Sequence, residues 1–289
     1  MTIPVDARWL PDDDFRFRLG TGPGDDQTFF DHSPDAVETL AERRQWLTSD
    51  ESHCYIQLLP EGDSIAMELL EHVSSWRSLQ SASSDLWSDY LTILERLRLL
   101  GQHWEPDFVL LAPRESTEAT TFAVVGGCVC FPSGWRLTDK LGQSVEEVHD
   151  PVPGLNGALA SPIDRLIGHL KPGKCLLRAN WGVSRFDMMN QHVDRCLPAI
   201  EIDARADQIW LRREDQCLFT LPRTGGVVFG IRVSHIRWDE LHKNPIASRR
   251  IVRALQTMPD AMLEYKRIKT ARETLIRLLD STIGPQRME

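Results

Sequence analysis

The chain has 289 residues, 42% of them hydrophobic and 26% charged, with a formal net charge of -9. That length gives one large domain or two small ones with a sizeable core, and the balance is that of an ordinary globular protein. The acidic charge and the absence of any dense Lys/Arg run exclude nucleic acid as a partner, because phosphate neutralisation needs clustered cations.

No apolar run approaches the roughly 20 residues of a membrane-spanning helix, so no membrane association is expected. The stretch from Met1 to Arg8 lacks the basic-then-apolar pattern of an export signal, and a cytoplasmic location is the expectation. The cysteines Cys54, Cys128, Cys130, Cys175, Cys196 and Cys217 form no C-x-x-C pair. Their spacing favours buried, reduced thiols over a zinc or iron–sulfur site. No G-x-G-x-x-G or P-loop pattern occurs, so no flavin or nicotinamide module is evident.

In chain order, residues 1–32 read as irregular, with turn-forming Asp12-Asp13-Asp14 and a Gly/Pro/Asp stretch at Gly20–Asp26. Ser33-Pro34-Asp35 opens a helix to about Leu47. Further helices are expected from Ser64 to about Leu79 and from Ser84 to Leu100, with Gly101 as a stop. His72 and His103 beside them read as surface or capping residues. The composition then shifts to apolar and β-branched runs. Strands are expected at Asp107–Leu111, Thr120–Phe131, Lys174–Val183, Gln208–Leu221 and Val227–Ser234, the last two joined by a turn at Pro222-Arg223-Thr224-Gly225. Between the second and third lie a short helix, Thr138–Val148, and one opened by Ser161-Pro162. Helices from Asn244-Pro245 to about Thr257 and from Pro259 to about Leu279 complete the chain. This order gives an α+β fold. Five strands with a helical connection after the second are compatible with a PAS-like antiparallel sheet flanked by N- and C-terminal helices. A single domain is expected, helical over 33–100, with a core at about 105–240 and helices at 244–279.

His149 falls where the short helix must stop, since Asp150 precedes Pro151 and Pro153-Gly154 follow. An imidazole at a rigid helix end suits a metal ligand. On spacing alone it equally reads as a capping or hydrogen-bonding residue. Strand alternation puts Arg212, Glu214 and Gln216 on one face, Gly230 and Arg232 together on the next strand, and Arg178 and Asn180 together on another. Arg212 and Glu214 read either as a pocket pair or as a same-face ion pair on a wet sheet, worth little. Arg178 and Asn180 read as pocket residues or as an exposed strand face. His192, Asp194 and His53-Cys54 lack a third ligand and read as structural.

Three blocks carry a family resemblance. The first is Phe131-Pro132-Ser133-Gly134-Trp135, then Lys140-Leu141-Gly142 and His149-Asp150-Pro151-Val152-Pro153-Gly154-Leu155-Asn156. The second is Arg178-Ala179-Asn180-Trp181. The third runs from Trp210 to Arg232. Together they resemble the haem-dependent oxidative N-demethylase family over roughly residues 105–240. Arg213 and Asp215 depart from the pattern, where relatives usually carry an apolar residue and an Arg.

The resemblance implies a haem in a PAS-like fold, with His149 as iron ligand and Arg178, Asn180, Gly230 and Arg232 around the cofactor. It implies an oxygenase that converts a methylated amine to amine plus formaldehyde, with Arg212, Glu214 and Gln216 at the reacting end. Electrons are expected from partner proteins that carry flavin and iron–sulfur groups, with tetrahydrofolate as a formaldehyde acceptor. Two other readings stand beside it: a haem-PAS gas or redox sensor, and a non-catalytic PAS-like binding module. The expected cavity lies between His149 and the sheet face that carries Gly230.

Overall fold

The computed structural model describes residues 10–80, 82, 84–115 and 120–280. Its centre is one seven-stranded antiparallel sheet. The strands are β1 (Gly22–Gly24), β2 (Ile56–Leu58), β3 (Asp107–Glu115), β4 (Thr120–Cys128), β5 (Cys175–Ser184), β6 (Trp210–Thr220) and β7 (Val227–Arg237). Their spatial order is β1-β5-β6-β7-β3-β4-β2. The turn expected between β6 and β7 is present: Leu221 and Gly226 close it with an N–H···O bond of 2.8 Å.

Because side chains alternate across a strand, pairing sorts the sheet into two faces. The pairs Cys175↔Phe219, Leu177↔Cys217 and Ala179↔Asp215, continued by Cys217↔Gly230 and Asp215↔Arg232, define the face toward the terminal helices. At one end of it sit the N-terminal helices α1 (Asp26–Phe30), α2 (Ala36–Thr48), α3 (Asp63–Val73) and α4 (Ile93–His103). They bury Phe30, Leu69, Trp76 and Trp104 against Phe108, Cys217 and Phe219. At the other end sit the C-terminal helices α7 (Pro245–Thr257), α8 (Asp260–Tyr265) and α9 (Arg272–Asp280), which bury Ile251, Leu263 and Leu275 with Leu211 and Trp181. The opposite face is covered in part by α5 (Val145–His149) and α6 (Leu155–Gly168). Ile163 and Ile167 pack there on Val109, Val124, Leu218 and Val227. The segment from Phe131 to Asn156 crosses this second face as a strap.

Several boundaries differ from expectation for local reasons. Residues 22–30 are not irregular but form β1 and α1, with Asp25 capping the Thr28 N–H. The helix expected over Ser84–Leu100 breaks into a turn at Ser84–Trp87 and α4, because Thr92 and Glu95 form a capping box that starts a new helix. Tyr90, expected in its apolar stripe, is fully exposed in the break. Gly101 does not stop α4, which runs on to His103. His72 is not a surface residue alone, since its ring stacks on Phe219 and bonds Asp26 at 3.2 Å. The helix expected from Ser161-Pro162 begins earlier, at Leu155, with Pro162 inside it. Gly154 supplies the positive φ of 77° that lets the chain re-enter a helix straight after Pro153. The final helix is two, with Arg267 at φ 57° between them.

Among the described residues no helix is long and apolar enough to cross a membrane. All six cysteines are free thiols.

Two buried cations fix where the strap leaves the sheet. Arg43 on α2 is fully buried and bonds Asp107 of β3, the Gly101 carbonyl and the Cys128 Sγ. Asp107 in turn accepts from the Cys130 and Phe131 N–H groups at 2.8 and 2.9 Å. The Phe131 carbonyl accepts from Arg212 Nη2 at 2.7 Å. Phe131 is therefore held at both its N–H and its carbonyl.

Candidate functional site

On the strap face the pairing builds a grid of three rows. Arg178, Gln216 and Ile231 lie abreast, then Asn180, Glu214 and Val233, then Gly182, Arg212 and His235. Alternation alone puts these side chains on one side, and the register makes them neighbours. Arg178 and Asn180 of β5 thus share a face with Arg212, Glu214 and Gln216 of β6, a grouping across strands that only the register supplies.

Arg212 is 3% exposed. Its Nε donates to Ser133 Oγ at 2.7 Å, its Nη2 to the Phe131 carbonyl, and its Nη1 meets His235 Nε2 at 3.1 Å. Burial pulls its pKa down to about 10, with Glu214 opposing. Burial first, and the Arg212 charge second, push His235 down to about 3. His235 is therefore a neutral acceptor at physiological pH. Arg212, expected among the reacting groups, instead uses its nitrogens to staple the strap to the sheet.

Ser133 Oγ donates to Glu214 Oε1 at 2.6 Å, and Gln216 Nε2 donates to Glu214 Oε2 at 3.2 Å. The charge of Glu214 opposes the burial that lowers the pKa values of Arg178 and Lys266, and adds to the burial that raises Tyr265. Lys266, at the end of α8, donates to the Trp181 carbonyl at 2.8 Å. Glu214 is thus the acidic centre of a largely cationic surface.

The strap brings His149 to this surface. A capping box between Ser144 and Glu147 starts α5, and His149 is its last residue. Asn156 Nδ2 ties the far side of the strap to the Glu146 carbonyl and Asp150 at 2.9 and 2.7 Å. Burial lowers the His149 pKa, and the charges of Arg178 and Lys140 lower it further. A Val145 carbonyl contact opposes the shift without reaching hydrogen-bond geometry, so Nδ1 is buried and unpaired. The ring is accordingly neutral, the form in which an imidazole ligates metal.

Gly230 and Arg232 do not join this site. Both lie on the opposite face, and the expected cavity between His149 and the Gly230 face does not form. A Cβ on Gly230 would come within 2.6 Å of Phe30 and 2.8 Å of Phe29, so this glycine makes room for α1. Arg232 bonds Glu105 and the Phe29 and Asp31 carbonyls, the latter two at 2.6 and 2.7 Å. It is a clamp for the turn after α1. Arg213 and Asp215 also lie on that face and bond each other.

Sequence reasoning missed Ser133, His235, Tyr265 and Lys266. Ser133 stands inside a motif block, which was a usable signal. The others depend on strand register and on where α8 docks, which no local pattern encodes.

A charged sheet face roofed by a histidine-bearing strap defines an α+β protein with a candidate ligand or cofactor site of mixed charge. The chain belongs to the haem-dependent oxidative N-demethylase, alpha subunit-like family, whose model matches residues 26–276. The family is haem-dependent by that description, and the description names one subunit of a larger enzyme.

The residues present fit a haem in their chemistry. His149 Nδ1, Arg178 Nε and Gln216 Oε1 are all buried without partners. Each such atom costs about 1–3 kcal/mol unless something satisfies it. A neutral imidazole suits iron, and the cations Arg178 and Lys140 suit carboxylates.

Proposed function

We propose that this chain is the haem-bearing subunit of an oxidative N-demethylase that acts on a small methylated amine, with His149 as the iron ligand. The observation that carries the reading is the neutral His149 ring held beside Arg178 under the strap, in a member of a haem-dependent family. The order β5-β6-β7-β3-β4, with α5 and α6 between β4 and β5, supports the PAS-like description. Both helical groups pack on one sheet, which supports treating the chain as one domain. A cytoplasmic setting would suit the soluble reductase partners described below.

Bound at this site, a haem supplies dioxygen reduction and oxidation of an N-methyl group, which leaves as formaldehyde. The remaining work falls to the protein's own groups. Burial beside two cations keeps the His149 lone pair available. Arg178 and Lys140 hold the acidic groups of the cofactor. Glu214 attracts the ammonium form of the amine and can hold its proton, while Asn180 and the spare Gln216 Oε1 orient an N–H. Arg212 is a positioning residue in this reading, acting through Ser133 and Phe131. Lys266 and Tyr265 close the α8 side.

Electrons come from separate flavin and iron–sulfur proteins, and tetrahydrofolate accepts the formaldehyde. The test is turnover of the haem-loaded chain with an NADPH-dependent flavin and iron–sulfur reductase. Formaldehyde is expected from one or more of a panel of methylated amines, and the isolated chain is expected not to oxidise NADPH. No formaldehyde across the panel, or robust NADPH oxidation by the chain alone, contradicts the reading.

A further inference from the structure

Cys175 is the first residue of β5, and Cys217 lies inside β6. The register Cys175↔Phe219 and Leu177↔Cys217 makes them diagonal neighbours on the face toward the terminal helices. Their Sγ atoms stand 3.1 Å apart, in the apolar layer that holds Phe30, Leu177 and Phe219. That is closer than unbonded sulfur atoms ordinarily pack, and one thiol donates to the other. The pair takes no part in the chemistry of the strap face.

Reach decides what kind of bond the two sulfurs form. A disulfide has an S–S distance of about 2.05 Å, so closure needs roughly 1 Å of further approach from the present 3.1 Å. Diagonal neighbours in a regular antiparallel pair stand about 7–8 Å apart, wider than an unstrained disulfide spans. The start of β5 must therefore shift toward β6. It is placed to do so: Cys175 follows the Lys171–Lys174 turn, where Gly173 has a φ of 73°, and its outer neighbour β1 is only three residues long. A disulfide closed against such spacing is strained and more readily reduced than a relaxed one. That suits a bond made and broken by redox conditions, not a permanent staple.

Reactivity decides the order of events. Cys217 is fully buried, and its thiol is held well above the ordinary range by the bond with Cys175 and by burial. The thiolate is the reactive form, so Cys217 does not react first. Cys175 keeps 7% of its surface exposed at the strand end and is the sulfur an oxidant meets.

We propose that Cys175 and Cys217 are a peroxide-oxidised dithiol that closes a reversible disulfide between β5 and β6. Hydrogen peroxide oxidises the Cys175 thiol to a sulfenic acid and releases one water. The Cys217 sulfur then attacks the Cys175 sulfur. The S–O bond breaks as the S–S bond forms, and the departing hydroxide takes the Cys217 proton to leave as the second water. Two thiols give up two electrons and two protons, and the peroxide is reduced to two waters. The new bond sits one residue from Gln216 and three from Arg178, so it constrains the strands that carry the strap-face row.

The test is peptide mapping of the full chain after treatment with hydrogen peroxide under native conditions, followed by unfolding, alkylation and trypsin. The peptides Cys175–Arg178 and Glu214–Arg223 are expected to be joined. Two of the six thiols should be lost, and dithiothreitol applied to the folded chain should return them. The same treatment in urea should spread the links over other pairs. Cys217→Ser should instead leave Cys175 as a sulfenic acid that dimedone traps; the wild-type map decides the matter alone if this variant does not fold. Both thiols remaining free while the exposed Cys196 is oxidised would overturn the proposal. So would a link confined to another pair, or a bond that dithiothreitol cannot reverse in the folded chain.

Discussion

Replacing His235 by Gln tests how the strap is fastened. In the folded chain His235 accepts from Arg212 as a neutral ring, with its pKa pushed from 6.5 down to about 3 by burial and by the Arg212 charge. In the unfolded chain it returns to an ordinary value near 6.5. A folded pKa below the unfolded one means that the unfolded state takes up the proton first as pH falls. Stability is then fully present above about pH 6.5 and declines below it. At pH 5 the loss is about 1.4 kcal/mol for each of the 1.5 pH units below 6.5, or about 2 kcal/mol from this residue. That figure barely changes if the folded pKa is nearer 4 than 3, because at pH 5 the folded ring is neutral either way. Gln can still accept from Arg212 and does not titrate. Urea unfolding of wild type and His235→Gln at pH 8 and pH 5 should therefore show wild type losing about 2 kcal/mol more than the variant. The same loss in both proteins would refute the claim that His235 is a buried neutral acceptor.

Three further outcomes follow from the packing. Gly230→Ala should destabilise the chain by about 1–3 kcal/mol through overpacking against Phe29 and Phe30, yet leave any haem spectrum unchanged; a spectral shift would return Gly230 to the cofactor site. Arg43→Met strands Asp107 without its counter-ion and should cost about 3–5 kcal/mol in urea unfolding, and a loss below 1 kcal/mol would show that the pair does not anchor the strap. Urea unfolding followed by tryptophan fluorescence and by far-ultraviolet circular dichroism should give one coincident transition, whereas two separated transitions would divide the chain into two domains.

The long strands were legible because apolar, β-branched runs between turn residues have few alternatives, and the Pro222–Gly225 turn and the Asn244-Pro245 cap carry their own chemistry. Alternation within a strand correctly grouped Arg212, Glu214 and Gln216, and likewise Arg178 and Asn180. It could not show which groups share a face across strands. Gly230 and Arg232 were assigned to the His149 side, whereas the register Cys217↔Gly230 places them opposite. The missing information was α1, a five-residue helix in turn-rich sequence whose two phenylalanines fill the space above Gly230. Pro162 misled in a similar way. A proline commonly opens a helix, but here Gly154 opens it one block earlier and tertiary packing of Ile163 and Ile167 carries the proline inside. His235 and Lys266 were illegible because their partners are set by long-range docking.

The most direct measurement is the visible absorption spectrum of the haem-reconstituted chain beside His149→Ala, with His192→Ala as the control. A Soret band in wild type and His192→Ala, lost or shifted in His149→Ala, is the predicted result. A wild-type spectrum in His149→Ala, or no haem uptake by wild type, would contradict the assignment of His149 as the iron ligand.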